Sequence, residues 1–242
     1  MFRTSAIFLS VLMFFSSCAA QITGSLRGDG QADLNIYAAL EPRMTALIRG
    51  LAAASGTAQP GAPVLDGPAI SASMSSAPGI SSVLFRNTAP AAIEGPVKIS
   101  RIGDFLAPAV GSAGSKKYSF ITFEQNAPSS GGRCVINLSL DSGPEILTLI
   151  SPEVNAYLAA LMAPLATGEA LNKAEYLMLV RSIYGRGIAD EIASAQIRAF
   201  IDFPGPVKSV KGGTFSGRRA EFTIPLLDIL VLEKPLGYEV MW

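Results

Sequence analysis

Two cysteines, Cys18 and Cys134, and the complete absence of histidine decide what chemistry this sequence can do. Without an imidazole there is no Ser-His-Asp or Cys-His nucleophile, no His-ligated zinc or iron site, and no side chain that ordinarily titrates near neutral pH. Cys134 stands in Arg-Cys-Val-Ile-Asn-Leu-Ser-Leu, a strand-like run with no second cysteine to complete a dyad, and reads as a small buried hydrophobe. Asp190-Glu191 is the only adjacent carboxylate pair. Neighbours on a helix point to different faces, so this pair reads as solvated surface and not as an acid/base couple. Gly185-Arg-Gly187 lacks the third glycine of a dinucleotide loop, and Asp29-Gly-Gln-Ala-Asp33 lacks the later glycine and closing glutamate of a calcium loop. No enzyme activity, cofactor or metal is expected. The 19 basic residues against 19 acidic ones leave no field to attract nucleic acid.

Cys18 differs from Cys134 in what precedes it. Arg3 is the one charge among the first five residues, the apolar run Ala6–Phe15 follows, and the small Ser16 and Ser17 lead into the cysteine. That order is a signal peptide. Ten apolar residues reach only ~15 Å as a helix, about half the hydrocarbon thickness, which disfavours a permanent span. Phe15-Ser16-Ser17-Cys18 resembles the lipobox of bacterial lipoproteins, in the relaxed form seen in spirochaetes, with Phe15 where leucine is usual. An ordinary secretory signal cleaved near Ala20 is the alternative. The resemblance implies cleavage before Cys18 and attachment of two or three acyl chains such as palmitate, enough for stable anchoring. It also implies a cell-envelope location, and Ala19 in place of an aspartate favours the outer over the inner membrane. The expected organisation is a signal peptide over 1–17, a lipidated N-terminus and short tether over 18–21, and one ectodomain over 22–242. Once Cys18 is acylated, Cys134 is left without a partner, so a packed core and not a disulfide must stabilise the ectodomain.

The elements read as strands, then helices, then strands, which argues an α+β fold with a mostly antiparallel sheet. Apolar and polar residues alternate from Gln21 to Leu40 around a Gly28-Asp29-Gly30 turn, giving a bent strand or a hairpin. Glu41-Pro42 then opens a helix with Met44, Leu47, Ile48 and Leu51 on one face. Residues 52–82 are rich in Ala, Gly, Pro and Ser and predict loop with one short helix after Pro68. Strand character returns at 83–86 and 97–102, Asp104 begins a short helix, and 118–123 with 134–140 predict a hairpin. Ser151-Pro152 opens the clearest helix, with Val154, Tyr157, Leu158, Leu161, Met162 and Leu165 at helical spacing. A second helix is expected over about 169–184 with Glu169 and Lys173 paired, and a third over about 188–195. Strands follow at 197–201, 207–210 and 219–224.

The segment Ile224–Leu232 is apolar at eight of nine positions, with Asp228 the exception, so it has no side fit for water. The protein's own core, an apolar ligand, the bilayer face or a partner could cover it. The Gly-Asp-Gly hairpin leading into an amphipathic helix just after Cys18, with Phe203-Pro-Gly-x-Val, Gly212-Gly213 and Gly217 near the other end, resembles the LppM-type lipoprotein domain. That resemblance implies an α/β ectodomain with no catalytic residues and a role in binding envelope lipids. The functional expectation is a non-enzymatic, membrane-anchored lipoprotein. It binds lipid, another apolar ligand or the membrane surface through Leu226, Leu227, Ile229, Leu230 and Val231. The rival expectation is a structural lipoprotein using the same surface for an envelope protein. Cells fed a clickable fatty acid are expected to label the protein and to lose that label in Cys18→Ala; a label that survives the substitution contradicts lipidation at Cys18.

Overall fold

Period-two alternation places apolar side chains on one face of a strand, and here it does so across two facing sheets. The computed structural model describes residues 18–54, 56, 61–105, 118–125, 131–148 and 152–242. β1 (Cys18–Leu26) and β2 (Ala32–Ala39) form the hairpin foreseen around Gly28-Asp29-Gly30. Its turn is closed by the Gly30 N–H donating to the Arg27 carbonyl at 3.0 Å. β1 begins at Cys18 itself, so residues 18–21 are strand and not the tether expected of them. Residues 1–17, and the signal-peptide reading with them, lie outside the described residues.

β1 pairs antiparallel with β2 and parallel with β8 (Gln196–Asp202), so it sits in the middle of the larger sheet. The order runs β10 (Thr214–Ser216), β11 (Arg219–Pro225), β8, β1, β2, β5 (Ala92–Ile99), β3 (Ile80–Val83), with β4 (Arg86–Ala89) also on β5. The smaller sheet is β6 (Ile121–Gln125), β7 (Gly132–Leu138), β12 (Leu236–Met241) and β9 (Ser209–Lys211). With one parallel pairing among these antiparallel ones, the fold is the α+β arrangement expected. Register carries the apolar phase from strand to strand: Ile22 faces Ile36 and Ala199, and Ala199 faces Phe222. In the smaller sheet Ile136 faces Ile121 and Tyr238, and Cys134 faces Phe123 and Val240. The opposite face of the larger sheet carries Gln21, Thr23, Asp33, Asn35, Arg198 and Arg219. There Arg219 and Asp202, directly opposed, form a two-pronged ion pair at 2.8 and 2.9 Å. The Arg219 guanidinium holds the Asp202 carboxyl below its usual range.

The two sheets close on each other at one end around Trp242, which is 3% exposed. Its ring lies 4.8 Å from Phe203 and 6.0 Å from Phe123, and its backbone exchanges two hydrogen bonds with Gly132 at 3.0 and 3.1 Å. A Cβ on Gly132 would stand 2.3 Å from the indole, so only glycine lets the ring lie flat there. Leu26, Ala32, Ile99, Phe203, Val207, Ala220 and Val240 are buried in the same cluster.

The helices build a second core. They are α1 (Pro42–Ala54), α2 (Gly67–Ser75), α3 (Ile102–Phe105), a 3-10 turn (Leu140–Ser142), α4 (Gly143–Leu147), α5 (Pro152–Ala160), α6 (Pro164–Thr167), α7 (Lys173–Tyr184), α8 (Arg186–Ser194) and α9 (Leu226–Val231). α2 is the short helix expected within 52–82, and Asp66 caps it by accepting from the Ala69 N–H at 3.0 Å. The helix expected to run through Leu165 instead ends at Ala160. Pro164 has no N–H to continue it and disfavours a helical Ala163, so Met162 turns left-handed at φ 50°. The Met162 N–H then donates to the Ala159 carbonyl and the Ala163 N–H to the Leu158 carbonyl, the crossed pair of a Schellman cap without its glycine. The helix expected from about Glu169 starts instead at Lys173, as α7. Asn172 and Glu175 form a capping box there, with bonds of 2.9 and 3.0 Å. Lys173 pairs with Asp228 at 2.6 Å instead of with Glu169. Trp242→Ala is expected to cost about 3–5 kcal/mol in urea unfolding followed by circular dichroism; a loss near zero contradicts its place as the plug between the sheets.

Candidate functional site

Beyond the Trp242 cluster the two apolar faces do not close. A cavity of about 370 Å³ lies between them. The larger sheet lines it with Ile22, Leu34, Ile197, Ala199, Phe222 and Ile224, and the smaller with Ile121, Ile136, Leu138 and Tyr238. Ile102 and Phe105 of α3 line it as well. Ile22, Ile197, Ala199, Ile224, Ile121, Ile136, Leu138 and Tyr238 belong to neither buried cluster of the described residues and stay half-buried. These positions alternate correctly for a core, yet no described side chain fills the space they face. Small residues make the room: on the larger sheet Ala199 presents only a methyl between Ile197 and Ile201 of its own strand, Ile22 and Phe222.

Two titratable groups of the apolar wall, Cys134 and Tyr238, are held in their neutral forms by burial. Burial pushes the Cys134 thiol up to about 11, so it is a protonated, unreactive part of the wall. Burial, and then the charge of Asp228, raises the Tyr238 phenol as well. Glu239 touches the margin of the cavity but sits on the outer face of β12, where Arg133 binds it at 2.7 Å and lowers its pKa. Among the described residues no group of three or more Cys, Asp or Glu side chains comes together to hold a metal ion. None of their helices is long and apolar enough to cross a membrane.

The residues expected to bind ligand lie elsewhere. Leu227, Leu230 and Val231 are buried in the helical core with Tyr176, Val180, Ile188 and Ile192. Leu226 packs against that core half-buried, and Ile229 is half-buried too. The segment is apolar all round because α9 packs against α6, α7 and α8, the placement that the core alternative describes. Ile224, two residues before α9, is the part of the segment that does face the cavity. Cys18 opens β1 opposite Gln196. The cavity wall escaped the sequence reading because each strand contributes only two or three alternating apolar residues, the same pattern a closed core produces.

No family model matches the sequence, and no curated protein does. Among solved structures, the folded domain of LppM from Mycobacterium tuberculosis, determined by NMR, is similar over 94% of this chain and 91% of that chain. The identity is 11% and the TM-score 0.38.

Leu230→Ala is expected to lower stability by about 2–5 kcal/mol in denaturant unfolding. It should leave any ligand bound between the sheets in place at temperatures where the protein stays folded. Loss of binding without loss of stability would return α9 to the site.

Proposed function

We propose that this chain is a lipid-anchored, non-catalytic envelope lipoprotein whose ectodomain holds a lipid or another apolar ligand between its two sheets. The observation that carries the reading is the cavity of about 370 Å³, within the size range of small-molecule sites and walled almost wholly by apolar side chains, eight of which stay half-buried outside both buried clusters. The anchoring half rests on the order of Arg3, the apolar run and Ser16-Ser17-Cys18. With β1 starting at Cys18, an acylated protein has no spacer between anchor and fold, so the ectodomain rides against the bilayer and meets lipids at high local concentration. The absence of histidine from the sequence, the protonated Cys134 thiol and the pairing of Glu239 with Arg133 support binding over catalysis.

A photoactivatable, clickable fatty acid fed to cells tests this on the full chain in its own membrane. Ultraviolet-dependent adducts are expected on peptides of β1, β7 and β8, separable by mapping from any acyl group on Cys18. Ala199→Phe, which places a ring in the cavity, is expected to abolish them while thermal unfolding stays cooperative. Adducts confined to Cys18, or adducts indifferent to Ala199→Phe in a stable protein, overturn the reading and favour a lipoprotein that meets a protein partner.

A further inference from the structure

We infer that the cavity recognises its occupant by hydrocarbon alone, so that the ligand class is any amphiphile with a long flexible chain, whatever its head. The inference rests on the reading of the cavity as a ligand site and narrows what that site selects. From Ile197 along β8 to Phe203, one residue past the end of that strand, the wall spans six residue steps, roughly 20 Å at the rise of a β-strand, which is the proportion of an extended chain and not of a compact ring system.

The chemistry of the wall excludes a bound head group. A buried polar or charged head needs a partner there, and leaving it without one costs about fivefold to 150-fold in affinity per group, the equivalent of roughly 1–3 kcal/mol. Three described cations on or beside the strands that line the cavity are committed elsewhere. Arg133 pairs with Glu239 on the outer face of the smaller sheet. Arg219 pairs with Asp202 on the outer face of the larger one. Lys208 donates to the Trp242 carbonyl at 3.1 Å. Besides Glu239, held at the margin by Arg133, the polar side-chain groups in the wall are a thiol that burial pushes up to about 11 and a phenol, neither of which offers a full charge to a carboxylate, phosphate or ammonium. A head therefore stays in water, and only methylenes and methyls enter. Each methylene buried is then worth the same, whatever the head.

The full chain carrying Cys18→Ala, so that no acyl group of its own competes, tests this with palmitate, hexadecanol and hexadecylammonium below their aggregation concentrations. Trp242 is the single tryptophan and packs on Phe203 and Phe123 of the wall, so its emission reports occupancy. The anionic, neutral and cationic probes are expected to bind with matching affinities, and shortening any of them is expected to weaken binding by about fourfold per methylene. A preference of about tenfold or more for one head, the worth of a charge-assisted hydrogen bond, overturns the inference while leaving the cavity a ligand site. Binding of none of the three, in a protein whose thermal unfolding is cooperative, overturns the ligand-site reading itself.

Discussion

The pairing of β1 on both its edges is the constraint on which the rest of the structure depends. β1 joins the hairpin that begins the described chain to β8, far along the sequence, and it does so in parallel, a pairing no tight turn can enforce. Its register sets the apolar phase for both neighbours and, through them, for β5 and β11. A slip of β1 by one residue would turn its Ile22 and Leu26 to solvent and bring Gln21, Thr23 and Ser25 inward against the apolar faces of its neighbours. Gly24 helps to hold that register: a Cβ there would stand 2.2 Å from the Asp33 carbonyl oxygen, so the close approach of β1 to β2 accepts no side chain.

The parallel pairing also explains the helices. A parallel connection needs a long crossover, and the described part of this one includes β6 and β7 of the smaller sheet and α4 to α8 before the chain returns as β8. α1 is pinned to that crossover by Glu191 of α8, whose carboxylate accepts from the free N–H groups of Arg43 and Met44 at 3.1 and 2.8 Å. α9 is pinned by Lys173 to Asp228 and by the Leu226 N–H donating to the Ala195 carbonyl at 2.9 Å. Two cores result, one around Trp242 and one around Tyr176 and Leu230, and the cavity opens from the edge of the first, sharing Leu26, Ala32, Ile99, Phe203 and Val240 with it, toward half-buried residues that belong to neither.

What could be read from the sequence follows this division. Strand phase is a local property, so the alternations at Ala32, Leu34 and Ile36 and at Ile197, Ala199 and Ile201 identified strands and their apolar faces. Tertiary competition is not local. Glu169 and Lys173 sit at helical spacing, but Asn172 caps the helix between them and Asp228 is the nearer anion for the lysine. Met162 continues an apolar stripe, yet the proline two residues later ends the helix before it. The segment from Ile224 to Leu232 showed that it must be buried, and only the packing of α6, α7 and α8 around it says in what.

The distance between two sheets is not encoded in the alternation of either, and that is why the cavity was illegible. A face of Ile, Leu and Phe is equally correct against another side chain or against a ligand. The difference lies in side-chain volume summed across the gap, where Ala199 and its facing residues fall short of filling it. Half-buried wall residues forgo part of the roughly 1.5–3 kcal/mol that complete burial of each would contribute. The fold carries that deficit because the Trp242 cluster and the helical core are closed without it. Any apolar occupant that fills the gap restores the missing contacts and therefore stabilises the folded chain by mass action, which ties the vacancy in the packing to the binding it favours.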